Sequence, residues 1–280
     1  MNDHELARKL ARETGALLVG LREHAKTFNL NPDKSESSLT QESWGNVLGN
    51  VLGDVLGDEG DQVAHDYLLE QLSLHRPQDV VLSEEGDLDV DRLGASRVWI
   101  IDPLDGTALY STGGTDFAVH VALWDASSNS PSKICAASVA VPARNELWSM
   151  DEPVQRYLPK GEPIRILVSR SRPPREIASV VNALQSQFPE RGEVQIIPMG
   201  SVGAKVGAIL SGQGDVYFNS GGFYEWDLAA PLGIACHNAL TVADCDGNEI
   251  ELNKSNLRVS DILICRPELK DTIVTALKTR

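Results

Sequence analysis

The chain has 280 residues, 42% of them hydrophobic, which is enough for one large domain or two modest ones with a substantial buried core. Its 25 Lys and Arg stand against 40 Asp and Glu, a formal net charge of −15 that argues against duplex nucleic acid or an anionic membrane as the main partner. No apolar run approaches the roughly 20 residues that span a bilayer, and the opening Met1-Asn2-Asp3-His4-Glu5 lacks the basic and apolar regions of a signal peptide, so a cytoplasmic protein is expected.

From Asp3 to about His24, Leu6, Leu10, Leu17, Leu18 and Leu21 fall near one helical face and predict an amphipathic helix packed on the body of the protein. Residues 27–43 are polar, contain Asn-Pro and read as a loop. A four-residue repeat follows, Asn46-Val-Leu-Gly, Asn50-Val-Leu-Gly and Asp54-Val-Leu-Gly, leading into Asp58-Glu59-Gly60-Asp61. Its period could align Leu48, Leu52 and Leu56 on a helix. Each glycine, however, costs about 1 kcal/mol relative to alanine there. The repeat therefore reads as an irregular segment, with the second helix running from Asp61 to about Leu74 and ended by Arg76-Pro77. Asp54, Asp58 and Asp61 have a structural explanation as caps of that helix.

Val80-Val81-Leu82 reads as a short strand that runs into Ser83-Glu84-Glu85-Gly86. A second strand, Val98 to Ile101, runs into Asp102-Pro103-Leu104-Asp105-Gly106-Thr107. Pro103 removes a backbone donor and Gly106 permits a tight or left-handed turn, so the two aspartates sit on a constrained loop. Carboxylates this close repel unless a cation lies between them, and hard oxygen ligands suit Mg²⁺. Phe117–Trp124, Cys135–Val141 and Glu146–Trp148 read as further strands joined by short connections, which predicts an antiparallel sheet with helices on one side. His120, inside a strand, reads as a packed core histidine rather than a ligand. Cys135, Cys236, Cys245 and Cys265 form no CxxC pair and read as reduced, mostly buried thiols.

Residues 151–163 hold three prolines and several charges, the best candidate for a boundary between a first domain, 1–155, and a second, 156–280. Beyond them a strand at Arg165–Ser169, a helix at 174–187, a strand at Val194–Ile197, a helix at Ser201–Leu210, a strand at Asp215–Phe218 and a helix at Trp226–His237 alternate as in a layered α/β unit. The expected fold class is thus α/β, an α+β layered sandwich. An antiparallel sheet with helices forms the first half, and a smaller mixed sheet with flanking helices forms the second.

Four acidic positions stand out: Glu84, Asp102, Asp105 and Asp227, the last within Glu225-Trp226-Asp227-Leu228-Ala229-Ala230, where it also reads as a helix cap. An EF-hand reading of Asp102–Thr107 fails, because Leu104, Gly106 and Gly113 occupy positions that do not fit that loop. No phosphate loop, nucleophile elbow or zinc-protease helix motif is present.

Ser83-Glu84-Glu85, Trp99 to Thr107 and Trp226 to Ala230 resemble the three signatures of the inositol monophosphatase superfamily, which comprises lithium-sensitive, Mg²⁺-dependent small-molecule phosphatases. The resemblance implies that Glu84, Asp102, Asp105, Asp227 and the backbone carbonyl of Leu104 bind two or three Mg²⁺ ions, with Li⁺ inhibitory. Paired metals of this kind bind phosphate oxygens, lower the pKa of a water and stabilise the leaving alkoxide. It further implies that Thr107 and an acidic residue before the second helix orient the attacking water. Asp61 takes that place here, although the chain lacks the threonine the family usually sets nearby. The catalytic set is then Asp61, Glu84 and Thr107, with Asp105, Gly106, Thr107 and Asp227 also against the substrate.

In the second half, Val168-Ser169-Arg170-Ser171-Arg172 and Gly200-Ser201-Val202-Gly203-Ala204-Lys205 look like segments of the CysQ-type 3′(2′),5′-bisphosphate nucleotidases. Ser169, Arg170, Ser201 and Lys205 suit a second phosphate, through charge-assisted hydrogen bonds and a helix start. The implied reaction removes the 3′-phosphate of adenosine 3′,5′-bisphosphate to give AMP, in sulfate assimilation. An inositol-1-phosphate or fructose-1,6-bisphosphate phosphatase is the nearest alternative, and a non-catalytic phosphate- or metal-binding protein the remote one. The expected partner is a small phosphorylated nucleotide, with no duplex nucleic acid and no integral membrane segment. A homodimer is compatible with these features, which do not fix the oligomeric state.

Overall fold

A computed structural model describes residues 1–29, 41–87, 90–152, 154 and 162–278. Helices α1 (Asp3–Asn29) and α2 (Gln41–His75) lie on one face of a five-stranded sheet of β1 (Val80–Ser83), β2 (Arg97–Asp105), β3 (Ala118–Asp125), β4 (Ile134–Val141) and β5 (Glu146–Ser149), in that order. The two-residue periodicity of a strand decides which side chains face which helices. Trp99 and Ile101 of β2 pack with Leu6, Leu10, Leu18, Leu68 and Leu72. Val98 and Ile100 face the opposite way, into a cluster with residues of α5 (Val202–Leu210) and α6 (Glu225–His237).

That second cluster also takes Leu167, Tyr217, Ile262 and Ile264 from a second sheet. The second sheet runs β10 (Thr241–Ala243), β12 (Ile262–Cys265), β8 (Val216–Asn219), β6 (Arg165–Ser169) and β7 (Gln195–Met199). Its outer face carries Ile166, Val168, Val216 and Phe218 against α4 (Ile177–Gln187) and α7 (Lys270–Lys278). The result is five layers, helix, sheet, helix, sheet, helix, with α5 and α6 shared between the sheets. A short ribbon of β9 (Phe223–Tyr224) and β11 (Arg258–Val259) leads into α6. Among the described residues, no helix is long and apolar enough to cross a membrane. The expected boundary at 155 lies outside the described residues.

Four expectations are corrected. The first sheet is mixed rather than antiparallel, because β1 and β2 pair in parallel. The second is mixed as expected but no smaller, since it also has five strands, with β6 parallel to both β7 and β8.

The third correction is the glycine repeat. It belongs to one continuous helix, α2, so Asp54, Asp58 and Asp61 are helix-interior residues and not caps, and Asp61 does not open the helix. The segment expected as a loop over 27–43 is helical at both ends, with α1 reaching Asn29 and α2 starting at Gln41; residues 30–40 lie outside the described residues. The last two glycines before Asp61 are explained by a close approach. A Cβ on Gly57 would lie 2.6 Å from Ser111 Oγ and 2.9 Å from Thr107 Cγ2, and one on Gly60 would lie 2.9 Å from Tyr110 Cε1. Helix α3 (Thr107–Ser111) therefore presses directly on the backbone of α2.

Gly60→Ala should lower stability by about 1–3 kcal/mol through overpacking, despite alanine's helix preference. On α1, by contrast, a Cβ at Gly20 would meet nothing within 4 Å, and Gly20→Ala should raise stability by about 1 kcal/mol. Urea unfolding of the two variants checks this, and stabilisation by both would contradict the close contact at Gly60.

Candidate active site

The parallel register of β1 and β2 places Ser83 opposite Ile101. The next residue along each strand direction is acidic, so Glu84 and Asp102 stand side by side where β1 ends. The Glu84 amide still donates to the Ile101 carbonyl at 3.4 Å. Asp102 pairs with His120 and Asp105 with Ala118, so three steps along β2 match two along β3. This is a bulge of one residue at Pro103-Leu104. In a regular strand residues three apart point to opposite faces, and the extra residue brings Asp102 and Asp105 back to the same side. The Leu104 amide donates to Asp102 Oδ1 at 3.0 Å, and Gly106, at φ 100°, takes the left-handed conformation that starts α3.

Thr107 is the first residue of α3, and its hydroxyl lies 3.2 Å from the Leu104 carbonyl and 3.4 Å from Asp61 Oδ1. Mid-helix placement therefore still brings Asp61 to Thr107, because the bare backbone at Gly57 and Gly60 lets α2 come near. Burial, reinforced by Glu85, pushes the Asp61 carboxyl up to about 7 against the lowering effect of the Thr107 hydrogen bond.

The second half closes the site from the other side. Ser201 Oγ donates to Asp105 Oδ2 at 2.5 Å and the Val202 amide donates to the same oxygen at 2.7 Å. Ser201 also caps α5, accepting from the Ala204 amide at 3.2 Å, with its backbone held at φ 44°. Asp227 stands in the first turn of α6 and accepts from the Tyr224 amide at 2.6 Å, so the capping role read from the sequence coexists with a place in the cleft.

Glu84, Asp102, Asp105 and Asp227 line one cavity of about 510 Å³ with Leu104, Gly106 and Thr107. Ser169, Arg170, Ser201 and Lys205 line the same cavity, as does Phe223, one of the aromatics beside Asp227 that the sequence offers as a border for a base; Arg172 and Asn219 also line it without having been singled out as site residues. Asp61 reaches it only through Thr107. Arg170 is half-exposed and ion-pairs with Asp116 at 2.5 Å, while Ser169 Oγ accepts from the Arg172 amide at 3.2 Å. Lys205 is buried: its ammonium donates to the Gly200 and Ser201 carbonyls at 3.2 and 2.7 Å and sits 4.7 Å from the centre of the Tyr217 ring. Burial pushes Lys205 down to about 8.

The carboxylates repel one another. Burial first, then the neighbouring carboxylates Asp105, Asp61 and Glu85, pushes Glu84 up to about 7, and burial with Asp105 and Glu84 does the same to Asp227. Asp102, fully buried, is raised by desolvation and by Glu84, Asp105 and Asp227. Its Oδ2 takes no hydrogen bond from any described residue, and the side-chain partner of the carboxyl is Glu84, itself an acid. A buried carboxylate oxygen with no donor is costly unless a cation meets it. Asp102, Asp105 and His120 offer ligand atoms within 4.8 Å of one another, a group that could hold a metal ion. The donors are mostly hard oxygens, which fit a divalent cation of the Mg²⁺ type.

His120 is buried as expected, yet it is not a bystander. Its Nε2 lies 3.3 Å from Asp105 Oδ2 and its Nδ1 3.4 Å from the Trp226 carbonyl. Burial lowers its pKa, and the ring packs between the bulge of β2 and the start of α6.

An inositol monophosphatase family model matches residues 53–280, which include every acidic ligand candidate and the whole second half. The chain belongs to the inositol monophosphatase family. Among named members, the 3′-phosphoadenosine 5′-phosphate phosphatase of Mycobacterium bovis is 40% identical over 222 residues, covering 78% of this chain and 80% of that one. The 3′(2′),5′-bisphosphate nucleotidase CysQ of Escherichia coli O157:H7 is 29% identical over 247 residues, covering 87% of this chain and 91% of that one. Among solved family structures, CysQ from Bacteroides thetaiotaomicron superposes with a TM-score of 0.70 at 22% identity, covering 94% of this chain and 97% of the other. The likeness to solved structures is one of fold.

Glu84, Asp227 and Asp61 hold protons in the folded state that the unfolded chain, with ordinary carboxylate values of 3.8 to 4.5, has already released. Stability of the metal-free protein should therefore fall as pH rises from about 4 to about 7, and saturating Mg²⁺ at neutral pH should restore it. Thermal unfolding across that range, with and without Mg²⁺, reads both effects; an unchanged melting temperature on adding Mg²⁺ would contradict the relief of carboxylate repulsion.

Proposed function

We propose that the chain is a metal-dependent phosphatase that cleaves the 3′-phosphate of adenosine 3′,5′-bisphosphate, releasing AMP and inorganic phosphate. One observation carries this reading. A single cavity has an acidic wall, Glu84, Asp102, Asp105 and Asp227, and a cationic wall, Arg170 and Arg172 with Lys205 behind them. Such a cleft suits a substrate with two separated phosphates, one met through cations on the acidic wall and one met by arginine forks. The names of the relatives, which refer to nucleotides phosphorylated at the 3′ and 5′ positions, support it.

Glu84, Asp102, Asp105 and Asp227, with the Leu104 carbonyl, would hold two or three Mg²⁺ ions. Bound there, the ions supply the positive charge that neutralises the phosphoryl oxygens and makes a nearby water a better nucleophile. The residues do the rest. Thr107 accepts a hydrogen bond from the attacking water while donating towards Asp61, whose raised pKa suits a general base near neutral pH. The water oxygen bonds to phosphorus as the P–O3′ bond breaks, the water proton passes towards Asp61 Oδ1, and the 3′ oxygen takes a proton from solvent. Ser201 and the Val202 amide hold Asp105 in place throughout. Ser169 and Arg170 form the wall that meets the 5′-phosphate, with buried Lys205 behind them holding the Gly200 and Ser201 carbonyls and adding its charge, and Gly106 allowing the phosphate to approach the backbone.

Phosphate release with Mg²⁺ should be fastest from adenosine 3′,5′-bisphosphate, slower from inositol 1-phosphate and fructose 1,6-bisphosphate, and inhibited by Li⁺. No clear preference for the nucleotide would overturn the substrate assignment. Asp61→Asn and Thr107→Ala should each lower kcat by about 10²-fold or more. Wild-type turnover by either variant would remove it from the water-positioning pair.

A further inference from the structure

Asp116 lies on the turn between α3 and β3, away from every acidic motif, and is 3% exposed. Beside the adjacent Thr115 hydroxyl, 3.4 Å from Oδ1, three donors from three separate segments meet its two oxygens. Arg144, in the turn after β4, contacts Oδ1; Arg170, at the end of β6, reaches Oδ2 at 2.5 Å; and the Gly200 amide, just before α5, donates to Oδ2 at 3.1 Å. Burial acts to raise the Asp116 pKa but is outweighed by these three donors, which hold the carboxyl below its ordinary value. The fit around it is tight: a Cβ on Gly200 would lie 3.0 Å from Asp116 Cβ and 2.0 Å from Leu109 Cδ1.

Asp116 does not line the cavity, but two of the groups it holds do, Arg170 and Gly200. The Arg170 side chain is 51% exposed, and a long side chain that open to solvent would otherwise sample many rotamers. An anion binds most tightly to a fork that is already aimed. We propose that Asp116 is a positioning residue for anion recognition: it aims the Arg170 guanidinium into the cleft and anchors the Gly200–Ser201 turn beside it, so that the second phosphate of the substrate meets a preset cationic wall. This rests on the bisphosphate reading above. One carboxylate thereby sets the spacing between the wall that selects the substrate and the turn that holds Asp105.

The test uses the full-length Mg²⁺-loaded enzyme with adenosine 3′,5′-bisphosphate and with adenosine 3′-monophosphate, which lacks the second anion. Asp116→Asn and Arg170→Gln should each raise KM for the bisphosphate by about tenfold, the loss of one charge-assisted contact, and by clearly less for the monophosphate. The double variant should behave as Arg170→Gln alone. Multiplicative effects in the double variant, or an equal loss on both substrates, would overturn the positioning role. If Asp116→Asn does not fold, Arg170→Lys decides instead. It keeps the charge but loses the fork that Asp116 aligns, so it should reproduce the KM rise, and a wild-type KM would overturn the proposal. Equal kcat/KM for the two nucleotides in the wild-type enzyme would remove the bisphosphate reading itself. A wild-type preference that survives Asp116→Asn would remove only the role of Asp116.

Discussion

The parallel pairing of β1 with β2, followed by one extra residue in β2, is the constraint on which the rest of the site depends. Parallel register sets Glu84 and Asp102 side by side, and the bulge at Pro103-Leu104 turns Asp105 to the same side. The backbone positions that carry three carboxylates are thereby fixed by the strand pairing. Their mutual repulsion is then built into the fold, and the orphaned Oδ2 of buried Asp102 marks where it is greatest. A fold accepts such a cost at a functional site when a ligand relieves it.

The second half answers this from across the cleft. Asp105 takes its hydrogen bonds from Ser201 and Val202, and Asp227 faces the bulge from the first turn of α6. Buried His120 lies between the bulge and the Trp226 carbonyl. The acidic wall is therefore a joint product of strands from the first half and helix starts from the second. The Asp102–Thr107 loop could not hold this geometry as an isolated motif.

What was legible in the sequence follows from how local the physics is at each point. Asp102-Pro103-Leu104-Asp105-Gly106-Thr107 could be read because an apolar strand ending in acids around a proline has few structural explanations. The alternation of strands and helices beyond residue 164 was readable for the same reason, since each element carries its own period. The Val-Leu-Gly repeat misled because helix propensity is a local quantity, whereas Gly57 and Gly60 are set by Ser111, Thr107 and Tyr110, distant in the chain. Parallel pairing of β1 with β2 was likewise invisible, for short strands look alike in either direction. Lys205 read as a cation available to a ligand, yet its burial and its two carbonyl partners depend on how α5 docks. Asp116 carried no signal, because its importance lies in three donors brought from Arg144, Arg170 and Gly200.

The apolar cluster that α5 and α6 share with both sheets has a dynamic consequence. Leu167 and Tyr217 from one sheet and Val98 and Ile100 from the other are members of one continuous core. Swinging the halves apart about a hinge would tear that core and expose it to water, a far larger penalty than substrate binding could offset. Entry and exit must then rely on motions smaller than domain opening, confined to the cleft's rim, where Arg170 and Arg172 sit. On the bisphosphate reading, selectivity is accordingly a matter of how rigidly a few rim side chains are tethered.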